Sequence, residues 1–298
     1  MKICRFDHNR IGIVRDDGVH DVSIILEKLP LLRYSFPVGD PVIAHLTNWR
    51  AELERLADAA PAIDPLQVRF RSPVAHPSKI IGVPTNYMAH RAEMRADTSI
   101  PSVSRSSEAA GVELVLQQGF FLKSNSSLVG PSEGVAVRFP DRRNDHEAEL
   151  GVVIGRTGSD IPESEAYDYI AGYAMALDMV VRGREDRSFR KSIDTYSVLG
   201  PWLVTADEVP DPQNLNFTLR VNGEVRQQSN TSDMVMYIRQ QIAFASKFYT
   251  LHPGDIIMTG TCQGVGRVAP GDVMDFEMDR IGKMQIPVRA HILGSATD

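Results

Sequence analysis

Short apolar runs separated by polar turns recur along most of the chain, a pattern that predicts β-strands more often than long helices. Near the start, Ile3 to Phe6 and Ile11 to Arg15 flank the polar turn Asp7 to Arg10. Further strands are predicted at Ile80 to Val83, Asp255 to Met258, Val273 to Met278 and Met284 to Leu293.

A hairpin is predicted from its turn residues. The dipeptide Asn222-Gly223 separates Phe217 to Val221 from Glu224 to Gln228. Asn-Gly supplies the two positive φ angles of a type I′ turn, so we expect two antiparallel strands to be joined there.

Two segments show helical spacing of their apolar residues. The first has candidate caps at Thr47 or Asn48, ends before Pro61, and places apolar residues at Trp49, Leu53, Leu56 and Ala60. The second has Ser232 as its candidate cap and apolar residues at Val235, Ile238, Ile242 and Ala245.

The Pro-containing stretch from Ala60 to Pro77 suggests a domain boundary near residue 76. We therefore predict a small N-terminal α+β domain over 1–76 and a larger domain over 77–298. The larger domain lacks the regular strand-helix alternation of a doubly wound fold, so it is predicted to be mainly β with a few helices.

Composition narrows the choice of partners and compartment. The 298 residues include 32 Lys and Arg against 38 Asp and Glu, a net charge of −6, which argues against nucleic acid as a partner. The longest mostly apolar stretch, Tyr169 to Val181, contains Asp178 and is shorter than the roughly 20 residues that span a bilayer. Met1 to Asp7 show no apolar core of a signal peptide, and the two cysteines, Cys4 and Cys262, form no disulfide framework. We expect no membrane association and a cytoplasmic location.

Three carboxylates stand against this apolar pattern. Glu147 and Glu149 immediately precede the run Leu150 to Ile154, and two residues apart on a strand they share one face. Asp178 interrupts a run that otherwise favours burial, where an unpaired carboxylate is costly. One divalent cation would resolve both anomalies, and oxygen ligands favour Mg²⁺ or Mn²⁺ over zinc. The alternative is a solvated strand edge for the glutamates, with Asp178 paired to Arg182 or Arg184.

His90 and Glu93 lie three residues apart, which on a helix lets a carboxylate orient an imidazole. A solvated surface pair is the alternative. Lys123 and Lys191 lie in segments rich in Gly, Ser and Pro, where a lysine can hold an anionic substrate or simply face water. Cys262 has no identifiable activating partner and is interpreted as a buried structural thiol.

Taken in order, these segments resemble the fumarylacetoacetate hydrolase family from about Ile80 to Val288. The matching motifs are Asn86-Tyr87-x-x-His90-x-x-Glu93, Phe121-x-Lys123, Glu147-x-Glu149-Leu150, Gly172-Tyr173 to Asp178, Lys191-x-x-Asp194 to Leu199-Gly200-Pro201-Trp202, Val221-Asn222-Gly223, and Gly254-Asp255 to Thr259-Gly260-Thr261. No Gly-x-Gly-x-x-Gly, Gly-x-Ser-x-Gly or phosphate-loop motif competes with this interpretation.

The resemblance implies a mixed β-sandwich roll, a homodimer, and one Mg²⁺ or Mn²⁺ held by Glu147, Glu149 and Asp178, with Ca²⁺ able to take its place in crystals. It implies that His90 and Glu93 form a catalytic pair on a segment that closes over substrate. Lys123 and Lys191 correspond to active-site lysines. Substrate contacts are expected from Tyr87, Lys123, Arg182 and Thr261.

The chain departs from the family pattern in three places. It has Arg182-Gly183-Arg184-Glu185 where relatives often have Arg-Asp-x-Gln, so Glu185 or an arginine is expected to alter substrate choice. Cys262 replaces a common proline. The 29 residues between Glu93 and Lys123, including Ser102 to Glu108, are predicted to form a lid.

The expected reaction is metal-dependent hydrolysis of a carbon–carbon bond in a small acylpyruvate or β-diketo acid, such as fumarylpyruvate or maleylpyruvate from aromatic catabolism, releasing pyruvate. Relatives also decarboxylate oxaloacetate, isomerise or decarboxylate dienedioic acids, or cleave diketo sugar acids, and these activities are the alternatives. A non-catalytic metabolite-binding protein is the hypothesis from a different class.

Overall fold

The computed structural model describes residues 1–31, 38–98 and 109–291 of the chain. Its strands are β1 Lys2–Phe6, β2 Arg10–Arg15, β3 Gly18–Asp21, β4 Ala62–Ile63, β5 Phe70–Arg71, β6 Ile80–Gly82, β7 Phe121–Lys123, β8 Leu128–Val129, β9 Val135–Val137, β10 Asn144–His146, β11 Ala148–Ile154, β12 Ile170–Asp178, β13 Val180–Val181, β14 Ser197–Thr205, β15 Asn216–Val221, β16 Glu224–Asn230, β17 Ile256–Met258, β18 Gly266–Arg267, β19 Val273–Met278 and β20 Gly282–Ala290. Its α-helices are α1 Pro41–Ala59, α2 Met88–Ala96, α3 Gly111–Gln118, α4 Arg187–Lys191 and α5 Ile238–Phe248.

A twelve-stranded sheet forms the centre of the molecule. Its strand order is β4-β3-β2-β1-β14-β12-β11-β17-β6-β7, with β5 paired to β1 and β8 paired to β14. Most neighbours are antiparallel, while β8 with β14 and β6 with β17 are parallel, so the sheet is mixed. A five-stranded sheet, β16-β15-β19-β20-β9, and a three-stranded sheet, β13-β10-β18, complete the strands.

The two faces of the central sheet carry different cores because side chains alternate along each strand. On one face, Leu150 and Tyr173 belong to the same buried cluster as Phe217 and Phe276 from the five-stranded sheet. On the other face, Ala174 and its neighbours pack with the apolar side of α1. The predicted mainly β sandwich with a few helices is confirmed.

The first strands join the central sheet directly. Lys2 and Ile3 of β1 pair with Val204 and Leu203 of β14, so the sheet continues across the predicted boundary near residue 76. The N-terminal segment combines strands β1 to β5 with α1, an α+β arrangement. The division into 1–76 and 77–298 stays a prediction.

Both predicted helices exist, but their caps differ from the expected residues. Helix α1 begins at Pro41, and the Asp40 carboxylate caps it by accepting hydrogen bonds from the N–H groups of Val42 and Ile43. The predicted caps Thr47 and Asn48 lie inside this helix. Helix α5 begins at Ile238 after Tyr237, whereas Ser232 belongs to a separate 3₁₀ turn, Thr231–Asp233.

The hairpin prediction is confirmed. Asn222 and Gly223 have φ angles of 52° and 83°, and Val221 pairs with Glu224 across the turn. The last predicted strand begins at Gly282 and is described to Ala290, while Leu293 lies outside the described residues.

Candidate functional site

The strand register brings the three predicted carboxylates together. Ala148 pairs with Leu177, and the main-chain N–H of Asp178 donates to the carbonyl of Glu147 at 2.9 Å. Glu147 and Asp178 are therefore cross-strand neighbours, with Glu149 two residues along on the same face. That face is opposite the sandwich core.

These carboxylates form one buried cluster. Oxygen atoms of Glu147, Glu149 and Asp178 all lie within 4.8 Å of one another. The three residues are 6%, 2% and 1% exposed, which rules out the alternative of a solvated strand edge.

The cations beside the cluster are lysines. Lys191 Nζ donates to Glu147 Oε2 and to Asp178 Oδ2, both at 2.6 Å. Lys123 Nζ donates to the other Asp178 oxygen and, at 2.8 Å, to the carbonyl of Tyr196. Asp178 therefore pairs with two lysines, whereas the alternative interpretation had paired it with Arg182 or Arg184.

Charge is offset unevenly within the cluster. Burial alone would raise the pKa of Glu147, but Lys191, Arg182 and His90 lower it to about 2. Burial, followed by the nearby charge of Asp178, raises the pKa of Glu149 well above its usual range. Burial also lowers the pKa of Lys123, and Asp178 only partly opposes that effect.

Glu149 is held by a main-chain donor. The N–H of Gly260 donates to Glu149 Oε2 at 2.7 Å. Gly260 has a φ of 97°, and a Cβ there would lie 2.6 Å from the Cβ of Asn86, so a side chain would be strained and crowded. The sequence Thr259-Gly260-Thr261 therefore supplies a close backbone approach to the cluster.

The predicted helix carries His90 and Glu93 on one face. In α2, His90 Nδ1 lies 3.4 Å from Glu93 Oε2, and His90 is only 6% exposed. Glu93 also accepts from the N–H of Gly264, at 3.0 and 3.1 Å to its two oxygens. Burial would raise the pKa of Glu93, but the bonds from His90 and Gly264 hold it below its usual value. A buried histidine held by a half-buried glutamate differs from a solvated surface pair.

Thr261 is positioned by hydrogen bonds at the start of β11. Its hydroxyl donates to the carbonyl of Ala148 at 2.9 Å and accepts from Gln227 Nε2 at 2.8 Å. The neighbouring Cys262 is fully buried, and burial raises the pKa of its thiol to about 12. This agrees with the interpretation of Cys262 as a structural thiol.

One cavity of about 330 Å³ joins these groups. Its lining includes seven of the predicted site residues, namely His90, Glu147, Glu149, Asp178, Arg182, Lys191 and Thr261. Among the described residues, six Arg or Lys side chains line it against three carboxylates, so the cavity is cationic inside an acidic protein.

The other predicted site residues lie beside or behind this cavity. Glu93 contacts His90, and Lys123 donates to Asp178, but neither of these two residues lines the cavity itself. Tyr87 is 2% exposed, and its ring packs edge-on against that of Phe217 in the core, with 6.4 Å between the ring centroids. This buried position does not support a contact between Tyr87 and substrate. Glu185 is exposed and pairs with Arg142 at 2.8 Å, away from the cavity lining. Ser102 to Glu108 of the predicted lid lie outside the described residues.

Sequence reasoning missed several residues that the fold brings to the site. Arg187, four residues before Lys191, lines the cavity, and its helical spacing was an available signal. Gln227 comes from the far sheet, and no local pattern marks it. Thr85 lines the cavity with a φ of 50°, and its hydroxyl is buried with no partner in the described part of the chain. A positive φ is unusual for a β-branched residue and is often associated with functional sites.

The cluster fits a divalent cation. Oxygen ligands from carboxylates suit Mg²⁺ or Mn²⁺, and a divalent ion would oppose both effects that raise the pKa of Glu149, namely its burial and the nearby charge of Asp178. No helix in the described ranges is long and apolar enough to cross a membrane.

The mixed sheets surround a cavity lined by a buried carboxylate cluster, a lysine and the histidine of a His–Glu pair. This combination defines an enzyme that acts on small molecules. More specifically, the chain belongs to the fumarylacetoacetate hydrolase family, whose profile, described as Fumarylacetoacetate (FAA) hydrolase C-terminal, matches residues 79–289. The family resemblance and the mainly β fold inferred from the sequence are therefore confirmed.

Similar proteins cover nearly the whole chain. A maleylpyruvate hydrolase of Aquipseudomonas alcaligenes is 50% identical over 290 residues, which are 97% of this chain and 100% of that protein. The crystal structure of a maleylpyruvate hydrolase from Sphingobium sp. SYK-6, in complex with manganese(II) and pyruvate, has a TM-score of 0.80 and 36% identity over 98% of this chain and 100% of that one. A 5-carboxymethyl-2-hydroxymuconate delta-isomerase from Mycobacterium smegmatis has a TM-score of 0.69 and 26% identity over 98% and 100% of the two chains.

Proposed function

We propose that this protein is a metal-dependent hydrolase that cleaves a carbon–carbon bond in an acylpyruvate of the maleylpyruvate type and releases pyruvate. The observation that carries the proposal is a single cavity lined by three buried carboxylates and by the buried His90, whose ring lies 3.4 Å from Glu93. The full-length similarity to maleylpyruvate hydrolases supports the choice of substrate.

Glu147, Glu149 and Asp178 would hold one divalent cation, Mg²⁺ or Mn²⁺. When bound, such an ion supplies Lewis-acid charge beside the carboxylate and keto oxygens of the substrate. Thr261 and Arg182 line the same space, and they would contact the pyruvate end of the substrate. Lys191, at 2.6 Å from two of the carboxylates, adds a positive charge that stabilises a developing oxyanion.

His90 acts as the general base. It would take a proton from a water molecule that adds to the distal carbonyl carbon, while Glu93 fixes the orientation of the ring. The bond between that carbon and the methylene of the pyruvate unit then breaks. Its electron pair stays with the pyruvate unit, which gains a proton, so water and acylpyruvate give a carboxylic acid and pyruvate.

The test is pyruvate release from maleylpyruvate by the Mn²⁺-loaded protein. Chelation is expected to abolish turnover, and added Mn²⁺ to restore it. We expect His90→Gln to lower kcat by about 10²- to 10⁴-fold, the usual contribution of a general base, while Mn²⁺ affinity changes little. His76→Gln, at an exposed histidine, is the matched control. Full activity after exhaustive chelation, or an unchanged kcat in the His90 variant, would contradict the proposal.

A second candidate is isomerisation or decarboxylation of a related keto acid on the same site. The similarity to the Mycobacterium smegmatis isomerase favours including it. Carbon dioxide release from oxaloacetate, measured beside pyruvate release from maleylpyruvate, separates these activities. Failure to bind Mn²⁺ at all would instead support a non-catalytic binding protein.

We also propose a homodimer in the cytoplasm. Several large apolar side chains are mostly exposed on the single chain, and burying them against a second copy would be energetically favourable; they are Leu31, Leu66, Phe189 and Phe248. Both cysteines are buried and unpaired, which suits a reducing compartment. Sedimentation equilibrium should give twice the 33.0 kDa chain mass.

A further inference from the structure

Helix α4 presents two cations to the cavity from one face. Arg187 and Lys191 are four residues apart, so they lie one turn from each other on that face. Both lie against the ring of Phe121, with Arg187 Cζ at 5.4 Å and Lys191 Nζ at 5.5 Å from its centroid. Because the two distances share one ring centroid, the cations are at most 10.9 Å apart, the sum of the two.

The two cations have different partners. Lys191 is bound by the carboxylate cluster, as described above. Arg187 donates from Nη2 to Gln118 Oε1 at 3.0 Å and forms no ion pair with a carboxylate of any described residue. Burial lowers its pKa, and the distant charges of Glu147 and Asp178 only partly oppose that effect. Its remaining donors line a cationic cavity beside a neutral amide.

Two other arginines of this cavity are committed to protein groups. Arg182 donates to Asp145 at 2.7 Å and to Glu147 at 3.4 Å. Arg190 donates to the main-chain carbonyls of Glu185 at 2.8 Å and Val181 at 3.3 Å. These hydrogen bonds account for the two guanidinium groups, whereas Arg187 has no anionic or main-chain partner among the described residues.

Gln118 completes a set of donors. Its amide oxygen accepts from Arg187, and its Nε2 is left to donate beside the guanidinium. A guanidinium and an amide N–H next to each other suit the two oxygens of a carboxylate, because charge-assisted bonds from a planar fork match its geometry.

We propose that Arg187 and Gln118 form a subsite for the distal carboxylate of the substrate, which makes the enzyme selective for dicarboxylic acylpyruvates over monocarboxylic ones. This inference rests on the proposed function, since the pyruvate end is taken to lie at the carboxylate cluster. The carboxylates of a seven-carbon diacid are six bonds apart, roughly 7 Å at the rise per bond of an extended chain. That length is shorter than the 10.9 Å upper limit on the separation between the Arg187 and Lys191 cations.

The selectivity follows from desolvation. Arg187 is already partly withdrawn from water, so a carboxylate gains charge-assisted hydrogen bonds there while a methyl group leaves the guanidinium unsatisfied. Hydrogen bonds to charged groups contribute about 10- to 100-fold in binding, which sets the expected size of the preference.

The experiment uses two matched ligands and two matched variants. Calorimetry of the Mn²⁺-loaded protein compares 2-oxoheptanedioate with 2-oxoheptanoate, which differ only in the distal carboxylate. The wild type should bind the diacid about 10- to 100-fold more tightly, and Arg187→Met should reduce that ratio at least tenfold. Arg187→Lys should restore part of it. Arg239→Met removes an exposed arginine of α5 that does not line the cavity, and it should leave the ratio unchanged.

The same ratio is then measured as kcat/KM for maleylpyruvate against acetylpyruvate. If Arg187→Met lowers the affinity for both ligands by the same factor, so that their ratio is unchanged, Arg187 has a structural role and the subsite is overturned. An unchanged ratio with unchanged affinities would overturn the subsite as well. If the wild type binds the diacid selectively yet hydrolyses neither acylpyruvate, the proposed function fails and the subsite stands. If Arg187→Met still hydrolyses maleylpyruvate in preference to acetylpyruvate, the subsite is overturned but the proposed function is not.

Discussion

At the scale of single residues, the carboxylates of the site differ in how well they are neutralised. Asp178 lies between Lys123 and Lys191, and Glu147 shares Lys191. Glu149 receives only the main-chain N–H of Gly260 within hydrogen-bonding distance among the described residues. A buried carboxylate without a charge partner either keeps a proton or attracts a cation. Glu149 is therefore the carboxylate of the cluster for which a bound cation would supply the missing charge partner.

Asp178→Asn tests directly whether the carboxylate cluster binds a metal ion. The substitution keeps the volume of the side chain but removes one of the proposed anionic ligands and leaves Lys123 and Lys191 with weaker partners. Loss of a residue that only orients a metal ligand usually lowers metal affinity about 10- to 100-fold. We expect Asp178→Asn to lower the Mn²⁺ affinity by at least this factor and to abolish metal-dependent turnover. Calorimetric titration with Mn²⁺ alone measures the affinity without requiring catalysis.

The control is Asp194→Asn, three residues after Lys191. Asp194 is exposed and pairs with Arg138 at 3.3 Å, a surface contact of little energetic weight. It should titrate like the wild type, and circular dichroism should show that both variants are folded. Equal Mn²⁺ affinity in wild type and Asp178→Asn would remove Asp178 from the metal site.

Which site residues could be predicted depends on whether their chemistry conflicts with the local pattern. Asp178 in an apolar run and two glutamates before a strand are such conflicts, and they predicted the cluster. Arg187 follows the ordinary pattern of a charged helix. Gln227 reaches β11 from the neighbouring sheet, so only the tertiary structure reveals that it donates to Thr261 and accepts from the N–H of Ala148.

At the scale of elements, helix ends were harder to predict than helix positions. Asp40 caps α1 because its carboxylate accepts two N–H groups and Pro41 follows with a fixed φ. Two turns of this helix precede Trp49, and their apolar residues were not included in the predicted pattern. Val235, which the pattern assigned to the second helix, lies before α5 instead, and its N–H donates to the carbonyl of Asn86 at 2.8 Å. Tertiary contacts decided both starts.

His20 links two elements and gives the stability a pH dependence. On β3, its ring lies 2.9 Å from Asp17 Oδ1 and 2.9 Å from the carbonyl of Ala60 at the end of α1. The hydrogen bonds to Asp17 and then to Ala60 raise the pKa of His20 above its usual 6.5. The folded state thus binds the proton more tightly than the unfolded state. The resulting stabilisation is complete below pH 6.5 and disappears as pH rises through the raised folded pKa.

We therefore expect His20→Gln to lower the free energy of unfolding more at pH 5.5 than at pH 9. Urea unfolding at the two pH values measures the difference between wild type and variant. His8→Gln, at an exposed histidine of the same segment, should give the same small difference at both. A His20→Gln difference that grows with pH would reverse the predicted sign of the linkage.

At the scale of the whole molecule, the sheet joins what the sequence pattern divides. The Pro-containing stretch before residue 77 marks the start of the region that matches the family profile at residue 79. Yet one buried cluster contains Ile3 and Ile11 of the first strands together with Val153 and Leu199 of the larger region. Local sequence shows where the chain turns, whereas it does not show which strands pair across that turn.

This shared core predicts cooperative unfolding. Leu203 is fully buried and pairs with Ile3 across β1 and β14, so Leu203→Ala should cost about 2–5 kcal/mol. The chain has two tryptophans, Trp49 in α1 and Trp202 in β14, and Trp→Phe variants isolate the fluorescence of each. If the segments unfold as one unit, both probes and far-UV circular dichroism share a midpoint, and Leu203→Ala lowers it equally for all three. Separate midpoints, with Trp49 unaffected by Leu203→Ala, would show that residues 1–76 fold independently despite the continuous sheet.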